Sequence, residues 1–439
     1  MHSPGAASDR ESPSGLLARL GLDRPELRAW ALYDWANSAF MTTVVAAVFP
    51  IYYAKVAADG LTDAAATFRF GVATTIALTC VALFSPPLGA LADASGSKKR
   101  LLTLFTGIGV LATAGLGFVG RGDWALALGL FMLGNIGIYG SITFYDALLP
   151  HVAKPEELDR VSTAGYALGY LGGGLLLALN LAWIQKPALF GLPDAAVATR
   201  LAFVSVAVWW AIFTIPILRR VAEPPVPAGA EHVSVVTAFA RLGGTLRGLR
   251  RYRDAFTTLL AFMLYNDGIG TIIRMATLYG TQVGIDQGSL IGALLLVQFI
   301  GVPAAFVFGA IADRVGAKPA ILGSLAIYTV VSVLAFRMRT GTDFFILAAL
   351  VGLVQGGSQA LSRSVFATLI PRDRTAEFFG FFSVFEKFAG VFGPLLFSAA
   401  VVITQDTRAA ILSVILFFVA GAVLLLRVDV EAGRRAAGN

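Results

Sequence analysis

Apolar stretches of about 20 residues recur along the whole chain, and no other feature limits its fold as strongly. A helix of that length crosses the hydrocarbon core of a bilayer. Twelve such segments are expected, at roughly 29–57, 68–91, 101–120, 124–149, 160–185, 200–218, 254–283, 289–312, 319–338, 343–370, 376–403 and 409–427. Only 14% of the residues are charged and 57% are hydrophobic, too little charge to cover a soluble protein of this size. The expected class is an all-α integral membrane protein with twelve transmembrane helices.

Charge placement gives an orientation. Of the 34 Lys and Arg residues, 23 fall at the two ends or in the connections between even- and odd-numbered segments, such as "SGSKKR" and "PRDRTAE". Eight fall on the opposite side, and Arg274, Arg363 and Lys387 lie inside segments. An excess of Lys and Arg marks the cytoplasmic side, so both termini are expected there, in a multi-pass cell (inner) membrane protein. The +7 net charge follows from this topology. The basic residues are scattered over loops with no nucleic-acid-binding motif, so nucleic acid is not an expected partner. The single cysteine, Cys80, is expected to pack. No apolar core of a signal peptide is seen in the first 28 residues, and residues 1–15 are expected to be disordered.

The chain repeats itself. "GALADASGSKKRLL" at 89–102 and "GAIADRVGAKPAIL" at 309–322 share seven of fourteen positions. "LLP" at 148–150 is echoed by "LIP" at 369–371, and "YDWAN" from Tyr33 by "YNDGI" from Tyr265. The expected organisation is a tail (1–28), a six-helix bundle (29–220), a linker (221–253) with a basic, interfacial-helix character, a second bundle (254–428) and a short tail (429–439). In the repeated loops, Gly89 and Gly309 permit close helix approach. Asp93 and Asp313 are placed to accept from a neighbouring helix N-terminus or to pair with a loop cation. Gly96, Lys98, Arg314, Gly316 and Lys318 complete the two candidate gating loops.

Polar groups inside the segments are functional candidates, because an ionisable side chain in a bilayer is costly unless paired or hydrated. Segment 1 carries Tyr33, Asp34 and Asn37 within one turn. Segment 4 carries Asn135, Tyr139, Ile142/Thr143 and Asp146 at helical spacing. Segment 7 carries Asn266 and Asp267, with Arg274 seven residues on, on the same face as Asp267 and about 10 Å away at the helical rise. Segment 10 has Gln355, Gln359, Ser362 and Arg363 on one face. Segment 11 adds Glu386 and Lys387, about 100° apart on the helix, one of them expected to pair across to segment 7 or 10. Asn180, Gln298 and the remaining tyrosines are expected to make interhelical hydrogen bonds. Gly165, Gly169 and Gly173 in segment 5 suit a tight helix crossing.

The G-x-x-x-D-x-x-G-x-K pattern of the two loops resembles the cytoplasmic loop signature of the major facilitator superfamily. That family places a basic residue after the Asp; here the first copy has Ala94 and the second Arg314. "WALYDWANSAF" in segment 1 and "GLVQGGSQALSRSVFATLIPRDRTAEFFGFFSVFEKFAG" at 352–390 resemble, more narrowly, the vacuole-effluxer family, whose fungal namesake is implicated in exporting amino acids from the vacuole. The resemblance implies two pseudo-repeated six-helix bundles with segments 1, 4, 7 and 10 lining a central cavity, and alternating access.

The expected function is secondary transport of a small organic solute, an amino acid or similar zwitterion in first place, with protons as a coupling partner and Asp34, Asp267 or Glu386 as the proton carrier. No cofactor or metal is expected, and the protein is expected to act as a monomer. A broad exporter of lipophiles, or a non-transporting receptor or scramblase of the same fold, is the alternative. An enzyme is not expected: the only histidines are His2, His151 and His232, all expected in loops or the tail, with no nucleophile–base or metal-ligand cluster.

Overall fold

The computed structural model describes residues 15–226, 251–282, 287–388, 392–404 and 411–438. Every described regular element is helical. The long helices are α1 (Pro25–Ala57), α2 (Asp63–Ser95), α3 (Lys98–Gly115), α4 (Trp124–Val152), α5 (Leu158–Gln185) and α6 (Ala195–Arg220), then α7 (Arg253–Gln282), α8 (Gln287–Val315), α9 (Ala317–Arg337) and α10 (Gly341–Thr368). Two shorter helices follow, α11 (Thr375–Phe388) and α12 (Phe392–Thr404). Then come α13 (Ile415–Leu426) and α14 (Val430–Ala436). Ten helices among the described residues are long and apolar enough to cross a bilayer. The expected eleventh segment, 376–403, corresponds to α11 and α12, between which 389–391 lie outside the described residues; the twelfth is described from residue 411. The linker's expected interfacial helix and the first 14 residues also lie outside them.

Helix ends follow local chemistry. Thr62 and Asp194 cap α2 and α6 by accepting from Ala65 N and Val197 N, and Thr340 and Asp343 form a reciprocal capping box at α10. Such caps satisfy N–H groups that have no intrahelical partner. Gly96 and Gly316 follow the ends of α2 and α8 in the two repeated loops, at φ of 59° and 89°, backbone angles that favour glycine. Within α1 the α-helix gives way to π-helix over Phe40–Val48 and again over Tyr53–Ala57, a widening frequent at functional sites.

Both tails carry helix among the described residues. Leu16–Arg19 form a helical turn, and the Ala18 carbonyl accepts from Arg160 Nη1 at 3.1 Å. At the other end the chain bends by 62° after α13 into α14. The side chain of Asp429 caps α14, its N–H donates to Asp254 Oδ1, and Gly433 packs on Leu369. A glycine at 433 and a cap at 429 are what dock this short helix.

Across the repeat, α2 packs on α11 and α5 on α8. Both contacts depend on missing side chains. A Cβ on Gly89 would overlap the Ala376 carbonyl, and one on Gly380 would lie 2.6 Å from Pro86 Cα. A Cβ on Gly309 would overlap Thr163 Oγ1. Within the first half, Gly165, Gly169 and Gly173 lay α5 on α1, facing Asp34, Ser38 and Thr42 in turn.

Candidate functional site

A cavity of about 300 Å³ lies between the two halves. Its walls come from α1, α4 and α5 on one side and from α7, α8, α10 and α11 on the other. Helical spacing explains which side chains reach it. Asp34, Asn37, Ser38 and Met41 repeat on one face of α1, Tyr139, Ile142 and Asp146 on one face of α4, and Gln355, Gln359 and Arg363 at every fourth residue of α10.

Arg363 closes one end. Its Nε donates to Ser162 Oγ at 2.9 Å and Nη2 to the Ser162 carbonyl at 2.9 Å. Nη1 donates to Asp146 Oδ1 at 3.0 Å, and both Nη atoms reach Asp34 Oδ2 at 3.4 Å. These five bonds equal the number of N–H groups on a guanidinium. Its ion also faces the rings of Trp30, Tyr145 and Tyr166, at 4.8, 5.5 and 4.7 Å, which adds cation–π attraction in a desolvated place. Tyr145 Oη donates to Asp34 Oδ2 at 2.9 Å, and Ser162 Oγ to the Ala360 carbonyl at 2.7 Å. Arg363 is 3% exposed, so its charge stands on these partners. Asp146 and Arg363 lie within two turns of the helix ends beside the repeated loops, so the cluster is the cavity's floor on that side.

The same end is sealed further out. Asp93 pairs with Lys98 at 2.7 Å and accepts from Ala376 N and Glu377 N at 3.1 and 2.8 Å, in the first turn of α11. Lys98 thus supplies the cation that Ala94 does not. In the second copy Asp313 pairs with Arg160 of α5 at 2.8 Å, while Arg314 is exposed. The third residue of α11 and the third of α5 play matching parts, one through its backbone and one through its side chain. Lys318 Nζ caps the end of α13 through the carbonyls of Leu426 and Val428. The repeat aligns Lys318 with Lys98, yet its counterpart in the first half is Lys99, which reaches the carbonyls of Leu218 and Val221. His151, expected in a loop, sits in the last turn of α4 and bonds Thr375 at 3.2 Å.

The remaining candidates divide. Asn37 lines the cavity while its amide donates to the Tyr33 carbonyl. Tyr33 itself is buried against Thr106 of α3, and Asn135 donates to the Phe131 carbonyl; neither lines the cavity. Asn266 lies behind the wall, accepting from Gln359 at 3.4 Å, and Ser362 meets Tyr265 Oη. Asp267, expected among the cavity acids, is absent from its lining: Oδ2 accepts from Gly393 N at 2.8 Å inside the second half. Arg274 is on α7, and its side chain lies outside the described residues. Glu386 lines the cavity and, among the described residues, pairs with its own neighbour Lys387 at 2.7 Å. Asn180 accepts from Ser205, as an interhelical bond, but Gln298 and two tyrosines, Tyr166 and Tyr170, line the cavity. The spacing Ser162–Tyr166–Tyr170 on α5 carried that signal, beside the glycine row that the sequence reading favoured.

Two bundles related by an internal repeat, closed at one end around a buried polar cavity, have the architecture of the major facilitator class of multi-pass membrane proteins. The structure resembles the proton:xylose symporter XylE bound to 6-bromo-6-deoxy-D-glucose (TM-score 0.67, 13% identity, 92% of this chain and 95% of that one). It resembles equally FucP in the outward conformation (TM-score 0.66, 11% identity, 93% and 99%). These likenesses concern the fold alone. The profile of the family "Vacuole effluxer Atg22 like" matches residues 60–438, and the chain belongs to that family. It is 39% identical to the uncharacterized MFS-type transporter YxiO of Bacillus subtilis over 92% of this chain and 94% of that protein. Autophagy-related protein 22 of Pyricularia oryzae is 28% identical over 65% of this chain, which spans 47% of that longer protein.

Proposed function

We propose that this transporter moves a small zwitterionic solute of the amino-acid class by alternating access, coupled to protons, with the cavity as its binding site. The halves, 29–220 and 254–428, rock about it, and the end bearing the repeated loops and both termini is cytoplasmic. A volume of about 300 Å³ is at the small end of ligand cavities, which suits a metabolite-sized solute. The lining offers carboxylates, amides and tyrosine hydroxyls together, which suits a polar solute bearing charge.

The observation that carries the reading is Arg363 of one half held by Asp34, Asp146 and Ser162 of the other, at the cavity floor. A bond network that spans the halves must break for that end to open. Protonation of Asp34 or Asp146 cancels the charge that holds Arg363, so proton binding from the cavity loosens the closed state. Asp34 and Asp146 thereby take the coupling role, and Asp267 holds α12 instead. Solute transfer and proton movement are then linked through one guanidinium.

The test is reconstitution into liposomes with a panel of radiolabelled amino acids. Uptake driven by a pH gradient is expected in the wild type. Asp34→Asn and Asp146→Asn are expected to keep solute exchange while losing most of the gradient-driven accumulation. Both variants retaining full pH-driven uptake would sink the coupling scheme. A response to lipophilic cations with none to amino acids would move the protein to the broad exporters of its superfamily.

A further inference from the structure

Lys387 is an ammonium in the last turn of α11, 9% exposed at its side chain. Its partners among the described residues are the Glu386 carboxylate, at 2.7 Å, and the ring of Tyr139, with Nζ 3.7 Å from the ring centroid. Both partners line the cavity, and Glu386 is 34% exposed at its side chain. Adjacent residues on a helix do not face each other. The Glu386–Lys387 contact therefore requires the lysine stem to fold back along α11 toward α4. Four flexible methylenes allow that, and they allow the ammonium to swing away again.

We propose that the ring face of Tyr139 and the carboxylate of Glu386 form a subsite for a primary ammonium group of the transported solute, filled in this structure by the protein's own Lys387. An ammonium over an aromatic face, beside a carboxylate, is the arrangement that recognises organic cations. The charges around the cavity agree. Among the described residues its lining carries Asp34, Asp146 and Glu386 against Arg363 alone, and that guanidinium already has acceptors for its donors. Glu386 gains capacity for a new cation once Lys387 leaves. Tyr139 and Asp146 are two turns apart on α4, about 10 Å at the helical rise, so the subsite is separate from the Arg363 cluster. Lys387 acts as a tethered competitor: it neutralises Glu386 in the empty state and yields to an incoming ammonium. This rests on the reading of the cavity as the solute site.

The experiment measures binding to the full chain in lipid nanodiscs by calorimetry. The probes are n-butylammonium, which has the ammonium and no carboxylate, and n-butyrate, which has the reverse. Removing the competitor in Lys387→Met, and separately in Lys387→Gln, is expected to lower the Kd for n-butylammonium by about tenfold and to leave n-butyrate unchanged. The double variant Lys387→Met/Glu386→Gln is expected to lose the gain. Unchanged or weaker n-butylammonium binding in the folded Lys387 variants overturns the subsite, as does a gain that persists without Glu386. Amino-acid binding to the wild type separates the two readings. Its absence, with the n-butylammonium gain present, overturns the amino-acid assignment and leaves the subsite standing; its presence without the gain does the opposite.

Discussion

The Arg363 guanidinium meets the Asp146 carboxylate at 3.0 Å although 217 residues and the whole central linker separate them in the chain. One comes from α10 and the other from α4, so the bond joins the two halves of the repeat. A burial this deep would be costly for either ion alone, and the pair persists because Ser162, Asp34 and three rings share the load.

Removing the cation tests that dependence. Arg363→Ala leaves Asp34 and Asp146 without their shared partner. Breaking one side of a buried pair costs about 3–5 kcal/mol, so the melting midpoint in detergent is expected to fall clearly. Arg363→Ala/Asp146→Asn should recover part of the loss, because it removes one of the stranded charges. A double variant as unstable as the single one would show that the carboxylates were never the problem.

Asp93 ties the loop end of α2 to Lys98 and to α11. Asp93→Asn removes its ion pair with Lys98 and weakens the bonds it accepts from Ala376 N and Glu377 N. Hydrogen bonds to charged groups contribute about 1.5–3 kcal/mol, and about 1.4 kcal/mol is tenfold in an equilibrium. A cysteine at position 38, on the cavity wall, in a Cys80→Ser background reports access. Its labelling by an impermeant maleimide from the loop side is expected to quicken about tenfold.

Gly89 is required by contact and not by backbone angle. Gly89→Ala drives a Cβ into the Ala376 carbonyl, and overpacking of this kind costs about 1–3 kcal/mol. The same cysteine reporter should show a loosened loop end. Gly71→Ala, on the same helix with open space around it, should leave labelling at the wild-type rate.

The two adjacent lysines 98 and 99 should behave differently. Lys98→Met unpairs Asp93 and should raise access to the reporter cysteine. Lys99→Met uncaps the end of α6, where it reaches the Leu218 and Val221 carbonyls. A cation at a helix C-terminus contributes about 0.3–1 kcal/mol, so the expected result is a small drop in melting midpoint with access unchanged.

Much of this was legible in the sequence. Segment lengths, the repeated loop and the polar faces of α1, α4 and α10 are local properties, and a helix projects side chains at a fixed angle whatever surrounds it. Tertiary contacts corrected the rest. Asp267 has the same helical setting as a cavity acid, but it accepts from Gly393 N inside one half. Tyr166 and Tyr170, expected to make interhelical hydrogen bonds, form a cavity wall, because the glycine row beside them brings α5 against α1.

By itself, then, the sequence determined that this chain crosses a membrane many times, that it is built twice over, and which helix faces are too polar for lipid. Only the tertiary structure decided which charges meet: Arg363 with Asp34 and Asp146, Asp93 with Lys98 and α11, Lys387 with Glu386 and Tyr139. The physical reason is range. Hydrophobic length and helical periodicity are set by neighbours along the chain, whereas an ion pair in a low-dielectric interior is set by distances of a few ångström between helices that the chain connects hundreds of residues apart.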